Sequence, residues 1–159
     1  MINTKKPVLA RDFVANDTQG RLLQLTDYLG KKHIVLVLNR ALSWPNTRQY
    51  MQTLRKDYQE FLDRDSEVIV VGPEKIGLLA TYWRSADLPF IGVPDPSHTI
   101  ARLYGQDLNP LKMGRLQALV VIDKKGRIRY ENYGTSVNDI PSNNEILYLL
   151  DELNKETYW

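Results

Sequence analysis

The sequence predicts an α/β fold in which a central mixed β-sheet has helices on both of its faces. Two continuous runs of β-branched and aliphatic residues, at 34–38 and 68–71, are typical of strands buried on both sides. Each run is followed by a segment with apolar residues at helical spacing. Two further extended segments flank a Gly-containing turn at 123–126, which predicts a late antiparallel hairpin.

The elements before the first buried run form an opening hairpin. Segments 11–15 and 22–25 lie on either side of a polar turn at 17–20, and one helical turn closes at Gly30. The run at 34–38 is then predicted to be the central strand. Pro45 stands at the first position of the next helix, where proline is tolerated, and the apolar spacing predicts that this helix continues to about residue 64.

The second half of the chain alternates in the same way. The strand at 68–71 stops at Gly72, and residues 74–86 form a helix. Three prolines predict a loop with a short extended piece over 88–96. Ser97 is expected to cap a short helix that Gly105 ends, residues 107–114 form a loop, and Ser142 caps the last helix. A βαβ unit needs parallel neighbouring strands, so the arrangement is the thioredoxin-like one, in one domain over residues 1–159.

Composition limits what the chain can bind. Of the 159 residues, 43% are hydrophobic and 25% charged, and the net charge is +2 with Lys and Arg spread along the chain. We therefore expect no nucleic acid partner. No apolar run approaches the roughly 20 residues of a spanning helix, and residues 1–6 are polar, so we expect no membrane partner and a cytoplasmic location.

The chain contains no cysteine, which excludes disulfides, thiolate metal sites and cysteine nucleophiles. His33 and His98 are its two histidines, and both are expected at the surface. Since a metal centre needs several converging ligands, we expect no metal and no other cofactor.

Four segments together resemble the peroxiredoxin (AhpC/TSA, redoxin) family. The string LARDF is similar to that family's opening Ala-Pro-Asp-Phe, and DTQGRLLQLTDYLGKKHIVLVLNR is similar to its hairpin and first central strand. LPFIGVPDPSHTIARLYG and ALVVIDKKGRIRY resemble its later segments, so the likeness covers nearly all of residues 8–155. It implies a thioredoxin-like fold and a family activity of antioxidant thiol peroxidase.

The likeness ends at the motif that carries the chemistry. The family reads Pro, three residues, Thr, two residues, Cys, whereas this chain reads RALSWPNTRQY. Arg40 stands at the proline, Trp44 at the threonine and Thr47 at the peroxidatic cysteine. Gln117 stands at the family's second-site arginine, with Arg115 two residues earlier. A threonine hydroxyl has neither the acidity nor the sulfur chemistry of a thiolate, so the resemblance implies a member without thiol peroxidase activity.

The altered positions leave alternatives open. Trp44 either plugs the old pocket or lines a new apolar site, and Thr47 either binds a ligand or only satisfies a backbone group at the helix start. Arg40, Arg48 and Arg115 either converge with the helix N-terminus on an anion or stay separately solvated. The candidate ligand-binding residues are therefore Trp44, Thr47, Arg48 and Arg115.

Three functions fit these observations. The first is a non-catalytic binding or structural relative of AhpC/TSA antioxidant proteins, with a small molecule or a protein as its partner. The second is an oxidoreductase that uses non-thiol residues of the same pocket, which an open polar pocket favours and an indole filling it disfavours. The third is a homodimeric docking module. The C-terminal pair Tyr158 and Trp159 is expected to pack either on its own domain or on a partner chain.

Overall fold

A six-stranded sheet forms the centre of the computed structural model, which describes residues 8–106, 108–109, 114–134 and 140–156. The strands are β1 (Val8–Leu9), β2 (Val14–Asn16), β3 (Leu22–Gln24), β4 (His33–Leu38), β5 (Ser66–Gly72), β6 (Ile91–Pro94), β7 (Leu108–Asn109), β8 (Gly114–Arg115), β9 (Ala118–Ile122) and β10 (Arg127–Tyr133). The helices are α1 (Pro45–Lys56), α2 (Tyr58–Leu62), α3 (Ile76–Ser85), α4 (Thr99–Leu103) and α5 (Asn143–Asn154), with a 3₁₀ turn at Leu25–Tyr28.

The six-stranded sheet has the order β1-β10-β9-β4-β5-β6. At its centre Leu36 of β4 pairs with Ile69 of the parallel β5 and with Val120 of the antiparallel β9. The mixed sheet and the central place of residues 34–38 are as predicted. A thioredoxin-like fold therefore follows from the strand order and helix placement together.

Alternate residues of β4 enter two separate cores. Val35 and Val37 face the layer formed by α1, α2, α3 and α5, where Met51, Leu79 and Leu150 are fully buried. The other face meets the opening hairpin and α4, and its buried residues are Phe13, Leu23, Ile34, Leu36, Leu38, Ile100 and Tyr104. This double burial explains why the strand reads as an uninterrupted apolar run.

The helix predicted over residues 45–64 is broken at Asp57. The side-chain amide of Asn143 donates to the Thr53 carbonyl at 2.9 Å and to the Asp57 carboxylate at 2.9 Å. The Asp57 N–H bonds to the Leu54 carbonyl instead, three residues back. The prediction of one continuous helix was wrong because the Asn143 side chain, from α5, occupies the Thr53 carbonyl, which the Asp57 N–H would bond in an unbroken helix.

The short helix α4 begins differently from the prediction. Ser97 does not cap it; the Asp95 carboxylate accepts hydrogen bonds from the backbone N–H groups of Ile100 (3.2 Å) and Ala101 (3.0 Å). His98 takes the N-cap position in a left-handed conformation, φ 61°. An ionised carboxylate suits a helix start better than a hydroxyl, because it also meets the positive end of the helix dipole.

His33 is buried, contrary to the prediction that it lies at the surface. Its Nε2 lies 2.8 Å from the Asn154 side-chain oxygen, and Asn154 donates to the Arg64 carbonyl at 2.9 Å. The C-terminal turn of α5 therefore covers the start of β4. No local pattern around Lys31 and Lys32 could show this contact, which joins residues 121 positions apart.

Most of the remaining boundaries follow the sequence closely, but the segment predicted as a loop over 107–114 contains β7, which pairs antiparallel with β8. The opening hairpin pairs Val14 with Gln24, and the Ser142 hydroxyl caps α5 by accepting the Glu145 N–H at 3.3 Å. Within the described residues no helix is long and apolar enough to cross a membrane. Tyr158 and Trp159, and part of the loop predicted over 107–114, lie outside the described residues.

Candidate functional site

A cavity of about 250 Å³ lies beside the N-terminal half of α1. The segment after β4, the residues before β9 and the start of α5 form its other walls. Its described lining comprises Arg40, Trp44, Asn46, Thr47, Gln49, Tyr50, Thr53, Leu116, Gln117, Ile140, Pro141, Ser142 and Asn143. Four of the positions singled out from the sequence thus share one cavity: Arg40, Trp44, Thr47 and Gln117.

Arg40 and Trp44 form a stacked pair on the wall of this cavity. The guanidinium carbon of Arg40 lies 3.7 Å from the centroid of the Trp44 ring, which is a cation–π contact. Arg40 is only 6% exposed, and Trp44 is half-buried. The indole lies on the wall and leaves the cavity volume open. It also holds the guanidinium plane in a fixed orientation.

Thr47 lies in the first turn of α1 and is 1% exposed. Trp44 is the N-cap residue of this helix and makes no side-chain capping bond, while the Thr47 N–H bonds to the Trp44 carbonyl at 3.1 Å. A threonine nucleophile needs a neighbouring base. Among the described lining residues there is no Asp, Glu, His or Lys, and burial raises the pKa of the Tyr50 phenol.

A chain of buried polar groups forms the base of the site. The Gln117 amide donates to the Asn39 side-chain oxygen at 2.6 Å, and Asn39 donates to the Met51 sulfur at 3.3 Å. Nearby, Gln106 donates to the carbonyls of Leu38 (3.0 Å) and Leu116 (2.6 Å). These bonds fix Gln117 against the end of β4, because each amide left unpaired in this interior would carry a desolvation cost.

Arg48 and Arg115 stand apart from this arrangement. Arg48 is exposed, donates to the Leu42 carbonyl at 2.5 Å and is not among the described lining residues. Arg115 belongs to the short strand β8, and its side chain lies outside the described residues. The structure therefore joins Arg40 to the cavity but does not bring Arg48 there.

Sequence reasoning missed several residues of the site. Asn46, Gln49, Tyr50 and Thr53 line the cavity along one side of α1. Their spacing of three or four residues is a helical-face signal. Asn39 and Gln106 are polar residues that follow a buried strand and a short helix. The sequence shows this pattern, but it does not show that the two side chains lie near Gln117.

Across the described residues, no three His, Asp or Glu side chains come together as a metal site would require. The cavity therefore offers one guanidinium, an aromatic face, hydroxyl groups and amides. This set can bind and orient a small polar molecule, and it contains no sulfur that could be oxidised.

Residues 8–131 match the AhpC/TSA family, and the chain belongs to that family. Among curated proteins it is similar to the peroxiredoxin Bcp of Bacillus subtilis (strain 168), with 27% identity over 137 residues that cover 82% of this chain and 85% of the relative. The family assignment made from the sequence is thereby confirmed.

Solved structures show the same fold. Peroxidoxin BcpB from Mycobacterium tuberculosis superposes with a TM-score of 0.80 at 18% identity, covering 94% of this chain and 98% of that one. The reduced 2-Cys peroxiredoxin of Plasmodium vivax gives a TM-score of 0.80 at 20% identity, covering 95% and 97%. The predicted thioredoxin-like fold is confirmed.

Proposed function

We propose that this protein is a non-catalytic member of the AhpC/TSA family that binds a small anionic molecule in the cavity beside α1. The observation that carries the proposal is the stacked pair of Arg40 and Trp44 on the wall of an open cavity of about 250 Å³. In the family motif the reacting thiol would stand at Thr47, and here a buried hydroxyl replaces it. The scaffold is kept while the reactive atom is gone.

The proposed ligand class follows from charge and geometry. Arg40 is the one charged side chain in the described lining. The guanidinium is a planar group whose N–H donors match the two oxygens of a carboxylate, and the contact with Trp44 restricts its position. Amides and hydroxyls from α1 and α5 supply further hydrogen bonds, so a short hydroxy- or dicarboxylate fits better than a bulky apolar anion.

Titration with acetate, glycolate, succinate and inorganic phosphate tests this proposal. Binding is followed by calorimetry and by the indole signal of Trp44 in ¹H–¹⁵N spectra. We expect at least one carboxylate to bind, and Arg40→Met to weaken it at least tenfold, because charge-assisted hydrogen bonds are lost.

Arg48→Met is the matched control, since it removes an exposed arginine of α1 that does not line the cavity. Its affinity should stay within twofold of the unmodified protein. The proposal fails if no probe binds at millimolar concentration, or if the two arginine variants weaken binding equally. Melting temperatures of both variants show whether each is folded.

The alternative of non-thiol catalysis in this cavity has weaker support. The cavity is open and partly polar, which was the condition that favoured it. Against it stands the lining itself, in which the described residues supply no carboxylate, imidazole or amine to act as a base. Binding without turnover uses the same lining residues and does not require a catalytic base.

A homodimer is part of the proposal on a separate observation. Ile76 and Leu78, at the start of α3, are 48% and 61% exposed and supply apolar surface that a second copy of the chain would cover. Size-exclusion chromatography with light scattering measures the mass directly: a 37 kDa particle is expected, twice the 18.4 kDa chain. A cytoplasmic location stays a prediction.

A further inference from the structure

A second cavity lies near the opposite end of the sheet from the Arg40 site. It has a volume of about 230 Å³ and is formed where β4 begins and β9 ends. The 3₁₀ turn at Leu25–Tyr28 and the turn of the last hairpin close its sides. The Arg40 site lies beyond the other end of β4, so the two cavities have no described lining residue in common.

The interior of this second cavity is apolar. Leu25, Leu29, Ile34 and Ile122 supply most of its walls, and Ala10 adds a small side chain. An apolar cavity of ~150 Å³ in another protein binds benzene, which has six heavy atoms. Scaled to this volume, the cavity accommodates roughly nine non-hydrogen atoms.

The lining of the cavity carries two carboxylates, Asp12 and Asp123, and two lysines, Lys32 and Lys125. Asp123 accepts from Arg127 at 2.7 Å and from Arg129 at 3.1 Å, and Asp12 accepts from Gln24 at 2.7 Å. Both carboxylates are therefore already engaged. Lys32 also lines the cavity, is half-buried, and makes no salt bridge or side-chain hydrogen bond within the described part of the chain.

We propose that this cavity binds a straight-chain monocarboxylate of about six to eight carbons, with its alkyl chain inside and its carboxylate at the Lys32 ammonium. Shape limits the chain length, because the walls hold only about nine heavy atoms. Charge sets the orientation, since Lys32 is the cation whose partner the ligand would supply. The lysine stem itself can lie along the apolar rim while its charged end stays near water.

Calorimetry with butanoate, hexanoate, octanoate and octan-1-ol tests the proposal. Each added CH₂ should tighten binding about fourfold until the cavity is full. Lys32→Met should weaken octanoate about five- to tenfold and change octan-1-ol less than twofold. Lys31→Met is the matched control, because Lys31 is the exposed neighbour and does not line the cavity.

Two further measurements locate the ligand. In ¹H–¹⁵N spectra, octanoate should shift Leu25, Leu29 and Gly126, and Ala10→Leu should abolish binding by filling the cavity. If Ala10→Leu does not fold, the comparison of Lys32→Met with Lys31→Met still tests the proposal. The proposal is overturned if no carboxylate binds, if both lysine variants behave alike, or if the shifts fall at Trp44 and Gln117, which would place the ligand in the first cavity.

Discussion

Arg40 shows how a single residue can take a role that its local sequence does not indicate. An arginine after a buried strand is most simply read as solvated, yet here it is 6% exposed and stacked on Trp44. The contact needs the turn before α1 to place the two residues four positions apart on one wall. Motif comparison identified both positions as altered, and only the fold shows that they act as a pair.

His33 gives a prediction about pH. Burial lowers the pKa of His33 below its ordinary value of 6.5, although the hydrogen bond to the Asn154 side-chain oxygen opposes this. The unfolded chain therefore takes up this proton at a higher pH than the folded protein. The contribution of His33 to the free energy of unfolding is complete above about pH 6.5 and is lost as the pH falls from there to the folded pKa.

Urea unfolding between about pH 7.5 and pH 5 measures this loss. His33→Gln keeps a hydrogen-bonding group opposite Asn154 but cannot be protonated, so its stability should depend less on pH across that window. If the free energy of unfolding of the variant changes with pH as steeply as that of the unmodified protein, other groups cause the pH dependence. The pKa values of Asp123 and Glu156 are also lowered, from ordinary values of 3.8 and 4.5. These two groups therefore change the free energy of unfolding only at a pH below this window.

Gly92 in β6 is a position where adding one methyl group is expected to destabilise the fold. A Cβ there would lie 2.5 Å from the Trp83 ring, and the Trp83 indole is held by its hydrogen bond to the Phe90 carbonyl at 2.9 Å. Gly92→Ala should lower the free energy of unfolding by about 1 to 2 kcal/mol, since overpacking outweighs the gain in strand propensity.

Gly77→Ala is its control, because a Cβ on Gly77 of α3 meets nothing within 4 Å. That variant should be neutral or more stable by up to about 1 kcal/mol. Equal effects in the two glycine variants, measured by urea unfolding, would contradict the packing explanation.

At the scale of elements, an ion cluster joins the end of α5 to the last hairpin. Arg129 donates to both carboxylate oxygens of Glu156, at 2.6 and 2.7 Å, and to Asp123 at 3.1 Å. Asp123 is fully buried and Arg129 is 9% exposed. The hydrogen bond to Glu156 is the main cause that raises the pKa of Arg129, so the group stays charged.

Removing Arg129 should therefore destabilise the fold more than removing an exposed arginine. Arg129→Met leaves a buried carboxylate with fewer partners, and we expect a loss of about 3 kcal/mol. Arg55→Met breaks the exposed pair with Asp87 and should cost less than about 1 kcal/mol. Denaturant unfolding of both variants compares them, and similar losses would mean that burial does not set the strength of this cluster.

Across the whole molecule, the sequence predicted the fold well because its signals are local. Buried strands, hairpin turns and the Ser142 cap are each encoded within a few residues. The site was predicted less completely. The break at Asp57, the burial of His33 and the positions of Asn39 and Gln106 all depend on contacts between distant residues. Arg48 was a candidate ligand-binding residue and still lies away from the cavity, since a place in the first turn of α1 does not fix where a side chain points.

The central claim is that this family member keeps its scaffold and a pocket but has lost thiol peroxidase chemistry. The most direct test is reductant-dependent consumption of hydrogen peroxide and an organic hydroperoxide, with thioredoxin or a dithiol as reductant and a cysteine-containing peroxiredoxin assayed in parallel. We expect the purified protein to match the protein-free blank, because it has no cysteine thiolate to attack the peroxide. Turnover well above the blank, in proportion to protein concentration, would contradict the claim.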